Sequence, residues 1–376
     1  MKNYTFSIQK LAYFLIVLCL LSYIIIIGKS ILAPLVFGTI FAFMLQPLCE
    51  KFEKYISYRP LSIAFSFIVA LIPIALLIYL FSMQFIDVFQ NMDSISEKIK
   101  NGVQDIFNLI NTQLGISRIE GEAIISENTS TIVQTPLSYV GATLSLSSNF
   151  LVNFFLTIIY TFLILLYRTS FKQFYLIQFG DRIKDGAEEV LKKIQTVIQK
   201  YLYGLGLVII ILSVLNSIGL SIIGIDYAIF WGCLAAFLAI IPYIGTALGG
   251  LLPFLYAFAT TDNYWQPLSV IALFTFVQVI EGNLITPKVV GSSIKINPLV
   301  AIVSLLLGGS IWGMAGLILS LPIIAIVRII FTQIDFLKPI AILLGDEIYN
   351  KDEVFEKKFD KEKFRIFNFF KKKKPN

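Results

Sequence analysis

Residues 227–261, YAIFWGCLAAFLAIIPYIGTALGGLLPFLYAFATT, run for 35 positions without a charged side chain. About 20 apolar residues suffice to cross a hydrocarbon core, so this stretch is too long for one simple span and too short for two ordinary ones. Pro242, Gly245, Gly249, Gly250 and Pro253 interrupt it. A second stretch of the same kind, residues 296–327, has 32 uncharged positions and contains Pro298, Gly308, Gly309, Gly313, Gly316 and Pro322. Paired Pro- and Gly-interrupted segments predict broken or re-entrant helices. Their freed backbone groups are tolerated at membrane depth only against protein or a water-lined cavity. The alternative is ordinary kinked helices whose glycines serve close packing.

Further uncharged stretches lie on either side: residues 11–28, 30–49, 60–86, an apolar run over 140–167, then 201–225 and 263–280. With the two interrupted stretches they predict an all-α polytopic membrane protein of about eight hydrophobic spans. A signal peptide is the competing reading of the first thirty residues, but Gly28-Lys29-Ser30 is a poor cleavage site. Composition agrees with a membrane protein: 57% of the 376 residues are hydrophobic and 14% are charged, well below a soluble average of roughly a quarter. Only Asp226, Asp262, Glu281, Lys288 and Lys295 carry charge between residues 201 and 327.

Positively charged loops stay in the cytoplasm. Lys2 and Lys10, then Lys51, Lys54 and Arg59, then seven basic residues in 168–200 and twelve from Arg328 onward, mark four such regions. Both termini are therefore expected inside, with an even number of crossings. The predicted organisation is three spans over 1–86, an extracytoplasmic amphipathic helical segment over 87–139, a fourth span over 140–167, a cytoplasmic amphipathic connector over 168–200, a transport core over 201–328, and a basic cytoplasmic tail over 329–376. In the outer segment, Val88, Met92, Ile95, Ile99, Val103, Ile106, Ile110 and Leu114 recur at helical spacing. In the connector, Ile183, Ala187, Val190, Ile194, Val197 and Tyr201 share a face, and Glu188–Lys192 and Glu189–Lys193 are i,i+4 pairs. The tail places Phe364, Phe367, Phe369 and Phe370 beside Lys363, Arg365 and Lys371 to Lys374, a pattern that suits anionic lipids of the inner leaflet or a solubilising end.

The chain has no histidine, which excludes HExxH zinc sites, histidine-dependent hydrolase triads and histidine proton relays. Cys19, Cys49 and Cys233 are far apart and show no metal-binding spacing. Neither a phosphate loop nor a GxGD motif occurs, so direct ATP coupling and aspartyl intramembrane proteolysis are disfavoured. No enzyme activity, cofactor or nucleic-acid partner is expected.

The second half carries Ile241-Pro242-Tyr243-Ile244-Gly245, then Glu281-Gly282-Asn283, Thr286-Pro287-Lys288-Val289-Val290-Gly291, Asn297-Pro298-Leu299, Gly308-Gly309, Gly313, Gly316 and Leu321-Pro322. In order and spacing these resemble the autoinducer-2 exporter family of bacterial membrane transporters, over residues 201–328. The first half resembles the family only in its layout of spans and loop. Two departures stand out: Leu205 where the family often has glutamine, and Thr246 where it often has proline after the Pro-Tyr-Ile-Gly motif. The resemblance implies a multispanning carrier and a homo-oligomer, a pentamer being one form. It also implies export of autoinducer-2 or a similar small polar solute across the plasma membrane. Some relatives are described instead as sodium or lithium/proton antiporters, so a cation is the alternative cargo. A membrane scaffold without transport is a third class.

Among individual residues, Glu281 is the leading transport or ion-coupling candidate. An acid at the end of an uncharged segment is costly unless paired or used, and Gln278, Asn283, Thr286 and Lys288 stand around it in sequence. Its bland reading is an interfacial acid paired with Lys288 or capping a helix. Asp226 is a second candidate, with a loop or N-cap role as the alternative. Asn216, Ser217, Ser292, Ser293 and Asn297 offer neutral partners for a polyol-like solute. Asp262 reads as an interfacial loop acid, and Lys288 and Lys295 as snorkelling lysines. Pro242, Gly245, Gly249, Gly250, Pro287, Pro298, Gly308 and Gly309 are the candidates for helix breaks that line a pathway.

Overall fold

The computed structural model describes residues 4–6, 8–90, 148–178, 184–240, 244–261, 263–289, 295–346 and 371–373. The amphipathic pattern of 88–114 lies outside these residues from position 91 on, as do Pro242, Asp262, Ser292 and Ser293. Helices dominate, as a chain of this hydropathy requires: without water, backbone N–H and C=O groups must pair within the segment that carries them. Seven of the helices are long and apolar enough to cross a membrane. The strand pairing among the described residues is a three-residue antiparallel ladder, β1 (Tyr4–Phe6) with β2 (Lys371–Lys373), Tyr4 opposite Lys373.

The chain divides into two compact units, one formed by Met1–Ser66, Asn153–Tyr203 and Gly291–Asn376, the other by Phe67–Val152 and Gly204–Val290.

In the first unit, α1 (Ile8–Ile27) has no buried residue, and α2 (Lys29–Glu53) follows after the single residue Gly28. The chain does not turn back there. Gly28 has φ −72° and ψ 7°, its N–H bonds to Ile24 O at 2.8 Å, and Leu32 N–H bonds to Gly28 O at 2.8 Å. The expected first and second spans are thus two arms of one bent helix rather than an antiparallel pair. The bend exposes the Ile25 carbonyl, and Trp312 Nε1 donates to it at 2.9 Å. A second irregularity is met in the same way. Pro47 has no N–H to give the carbonyl four residues back, and Gln199 Nε2 donates to that Phe43 oxygen at 2.7 Å while Tyr203 OH donates to Met44 O at 2.6 Å.

Three more helices cross this unit. α3 (Arg59–Gln90) begins in it, and α4 (Ser148–Gln178) and α5 (Lys184–Ile223) pass through it. Glu53 at the end of α2 is held by Arg168 of α4 at 2.6 Å and approached by Arg59 of α3 at 3.5 Å. The predicted connector and the span after it are one 40-residue helix, α5. Ala187, Val190, Ile194 and Tyr201 are buried as the spacing implied, but Ile198 takes the inward position expected of Val197. Both i,i+4 pairs form, Glu188–Lys192 at 3.3 Å and Glu189–Lys193 at 2.7 Å.

In the second unit, α5 ends at Gly224, whose φ of 83° suits the left-handed residue that closes a helix. Ile225 N–H reaches Leu220 O and Gly224 N–H reaches Ser221 O, the paired bonds of a Schellman cap. Next come α6 (Ala228–Leu238), α7 (Ile244–Thr260) and α8 (Trp265–Ile280). Leu220, Phe230, Trp231, Tyr256, Ala257 and Val270 form the unit's main core, on which Phe81 packs.

Candidate functional site

The two interrupted stretches each fold as a helical hairpin. In the second unit α6 and α7 lie against each other, and the chain passes between them over residues 239–243. At 11 residues, α6 is only ~16 Å long and cannot cross a core of about 30 Å. A side chain at Gly245 would overlap the Leu238 carbonyl, and one at Gly249 would come 3.0 Å from the Ala235 backbone. Gly250 faces the other way, 3.3 Å from Phe274 of α8. In the first unit α10 (Pro298–Trp312) and α11 (Met314–Phe331) are joined by Gly313 alone, at φ 61° and ψ −135°. Gly308 and Gly316 meet backbone to backbone across this pair.

These placements correct part of the sequence reading. Gly249, Gly250, Gly308 and Gly309 do not break their helices; a Cβ at Gly249 or Gly308 would press on a neighbouring backbone, and one at Gly250 or Gly309 on the side chain of Phe274 or Leu317. Pro298 does not break one either. It opens α10 at the first-turn position that tolerates its missing N–H, behind an Asn297 side chain that accepts from Leu299 N–H at 2.9 Å.

Glu281 lies where α8 loosens into a π-helical turn, Glu281–Ile285, before α9 (Thr286–Val289) resumes the α-helix. Trp265 to Val289 is thus one continuous helix of 25 residues, ~37 Å long. Such single-turn bulges free backbone carbonyls and recur at functional sites. Thr286 N–H reaches five residues back to Glu281 O. Asn283 Nδ2 donates at 2.8 Å to the Val279 carbonyl one turn before it. Pro287, in α9, lacks the N–H that would restore regular bonding. Val277 and Ile285, above and below Glu281, pack into a cluster with Val208, Leu212 and Ala236. The half-buried Glu281 carboxylate is faced by the Gln278 amide and the Thr286 hydroxyl.

Glu281, Gln278 and Thr286 are therefore brought together, and Asn283 is turned to the backbone. Lys288 is exposed and makes no ion pair with Glu281 among the described residues. Asp226 is placed apart. It is an exposed turn residue in the α5–α6 connection, which Gln266 near the start of α8 contacts through the Ile223 carbonyl at 3.2 Å. Gln266 to Glu281 is ~22 Å along the helix, so the two acids do not form one site.

The sequence matches a known family: the AI-2E family transporter model covers residues 13–335. The chain belongs to the AI-2E family. Among its relatives, YueF of Bacillus subtilis (strain 168) is 26% identical over 82% of this chain and 86% of that protein. YhhT of Escherichia coli (strain K12) is 24% identical over 85% and 89%. Both are named as transport proteins. The AI-2 transport protein TqsA of Escherichia coli (strain K12) is 31% identical over 34% of this chain and 37% of TqsA. The match to YrrI of Bacillus subtilis (strain 168), at 31% identity, spans 41% of that relative's length. The AI-2E assignment makes this a membrane transporter, and its relatives' names describe transport rather than catalysis.

Sequence reasoning missed two features of this AI-2E chain. Lys29, the one charge in residues 11–49, sits at the bend of the first helix beside the tip of the second hairpin; a Cβ on Gly313 would lie 3.7 Å from its Nζ. That isolation was a usable signal. Ser213 joins Asn216 on one face of α5; both are 3% exposed, Ser213 Oγ faces the Cys233 thiol, and Asn216 Oδ1 has no hydrogen-bond partner among the described residues. The i,i+3 spacing was visible, but the burial of Ser213 against Cys233 of α6 required the fold.

Proposed function

We propose that the protein exports a small polar solute such as autoinducer-2 across a bacterial plasma membrane, by alternating exposure of a site at the Glu281 turn. The observation that carries this reading is the π-helical turn itself. It sets a carboxylate without an ion-pair partner among the described residues, flanked by the Gln278 amide and the Thr286 hydroxyl, in a helix long enough to span the bilayer. An ionisable group in a membrane span is costly unless paired or used, which supports a working role for Glu281. Carboxylate, amide and hydroxyl together suit the hydroxyl groups of a polyol-like solute. The likeness to TqsA supports the choice of autoinducer-2 as first cargo to test.

In the same reading both termini are cytoplasmic, consistent with the ladder between β1 and β2. The basic tail rests on anionic lipids, and the protein works as a homo-oligomer.

The test is autoinducer-2 flux in proteoliposomes. Wild-type protein is expected to move it, and Glu281→Gln to cut the rate at least tenfold with an unchanged thermal unfolding midpoint. Unimpaired flux through Glu281→Gln would remove the carboxylate from the mechanism. Absence of flux in the wild type would remove autoinducer-2 as cargo.

A further inference from the structure

The arms of the second hairpin end beside a short helix that binds them both. After α11 the chain turns through residues 332–337 and forms α12 (Lys338–Leu343). Asn297, the residue that caps α10, gives its own backbone N–H to Leu344 O at 2.9 Å. On the other arm, Arg328 Nε donates to Ala341 O at 3.1 Å. Gly345 is buried under the same guanidinium, where a Cβ would lie 2.7 Å from Nη2.

A helix of six residues does not stand alone in water, and its final carbonyls are among the groups that a helix cannot pair internally. Here the hairpin's own donors take those carbonyls. The dependence runs both ways, because the start of α10 and the end of α11 cannot separate without breaking a bond to the same eight-residue segment. At the far end the arms are fixed by Gly313 and by the Gly308–Gly316 backbone contact. The mouth is therefore where the hairpin has freedom to open.

We propose that Lys338–Gly345 is a strap across the mouth of the second hairpin, and that this hairpin opens only when the strap lets go. The strap stands on bonds independent of the Glu281 turn, and its test separates the two ideas. Hydrogen–deuterium exchange would be followed on the full chain in lipid nanodiscs for wild type, Arg328→Lys and Gly345→Ala. Arg328→Lys keeps the charge but loses the planar fork, and Gly345→Ala displaces the guanidinium. Each variant is expected to raise exchange at least tenfold in residues 298–312 and 338–345, leaving 244–260 unchanged. Protection of 298–312 that stays at the wild-type level in both would overturn the strap. A rise that includes 244–260 would do the same, since the bonds would then support the whole fold.

A cross-link gives the converse. A backbone hydrogen bond brings Asn297 and Leu344 within disulfide range, so Asn297→Cys with Leu344→Cys, on Cys19→Ser, locks the strap when oxidised. Autoinducer-2 flux is expected to fall at least tenfold on oxidation and to return on reduction. Wild-type flux from the oxidised protein would show that the strap never needs to release. If even unmodified protein moved no solute, the cargo assignment would fail, and the exchange data alone would decide the strap.

Discussion

The first hairpin, α6 and α7, joins arms of 11 and 17 residues through residues 239–243; the second, α10 and α11, joins arms of 15 and 18 through one glycine. Both use small residues to bring helix backbones together, which is how helices associate where lipid offers no hydrophobic drive. They differ in how the surrounding polar groups are treated. Around the second hairpin the irregularities are bonded: Trp312 to Ile25, Ser320 to Gly316, Asn297 to Leu344, Arg328 to Ala341. In the unit of the first hairpin, Asn216 Oδ1 and Trp231 Nε1 are buried without partners among the described residues. In the other unit such atoms belong to the Glu53–Arg59–Arg168 ion cluster. An unmet buried polar group costs about 1–3 kcal/mol. The contrast teaches that the irregular groups of the second hairpin are each held by a bond, whereas the first lies in a unit that keeps a buried amide oxygen and an indole N–H without partners among the described residues.

The largest effects should come from filling the backbone contacts. Alanine at Gly316 or Gly245 places a methyl group inside a neighbouring carbonyl, and each is expected to cost about 3 kcal/mol through forced backbone movement. Alanine at Gly250, which would meet Phe274 at 3.3 Å, should cost far less. Thermal unfolding midpoints in one detergent would rank them. Equal midpoints for Gly245→Ala and Gly250→Ala would dismiss the close approach of α6 and α7. Next in size is Gly313→Ala. Its φ of 61° with ψ −135° lies where L-residues are strained, so a loss of about 1–3 kcal/mol is expected. A midpoint unchanged from wild type would mean that the tip is not held in that conformation.

Much of this was legible before the structure. Charge-free length gave the helices, and Pro and Gly marked where two stretches would fold on themselves. What composition could not resolve was which glycine turns the chain and which ones pack. Gly308, Gly309, Gly313 and Gly316 look alike in sequence, and only φ and the facing residue separate them. Lys29 divides residues 11–49 into two uncharged stretches that read as separate spans, with Gly28 at their junction. Its hydrogen bonds continue in both directions, and the chain bends instead of reversing. The Glu281 neighbourhood was found by the cost of an acid in an apolar run. The turn that opens around it was hidden, because no residue type marks a five-residue hydrogen-bond step. Asp226 was grouped with Glu281 by charge alone, although a whole helix separates them.

The smallest effect is the sharpest probe of the contrast between the units, since it compares the same substitution in both. Trp312 and Trp231 are buried to similar extents, 8% and 5% exposed. Tryptophan to phenylalanine removes a similar volume at each, so the packing loss should nearly cancel in the comparison. What remains is the indole N–H. At Trp312 it satisfies the carbonyl freed by the bend at Gly28, and its loss leaves Ile25 O without that donor. At Trp231 the N–H has no partner among the described residues, and removing it relieves a buried donor. Trp312→Phe is therefore expected to be less stable than Trp231→Phe by at least about 1 kcal/mol, read as a difference between their unfolding midpoints in the same detergent. Equal losses would show that Trp231 Nε1 is bonded in the folded protein, and the unmet capacity assigned to that unit would shrink to Asn216.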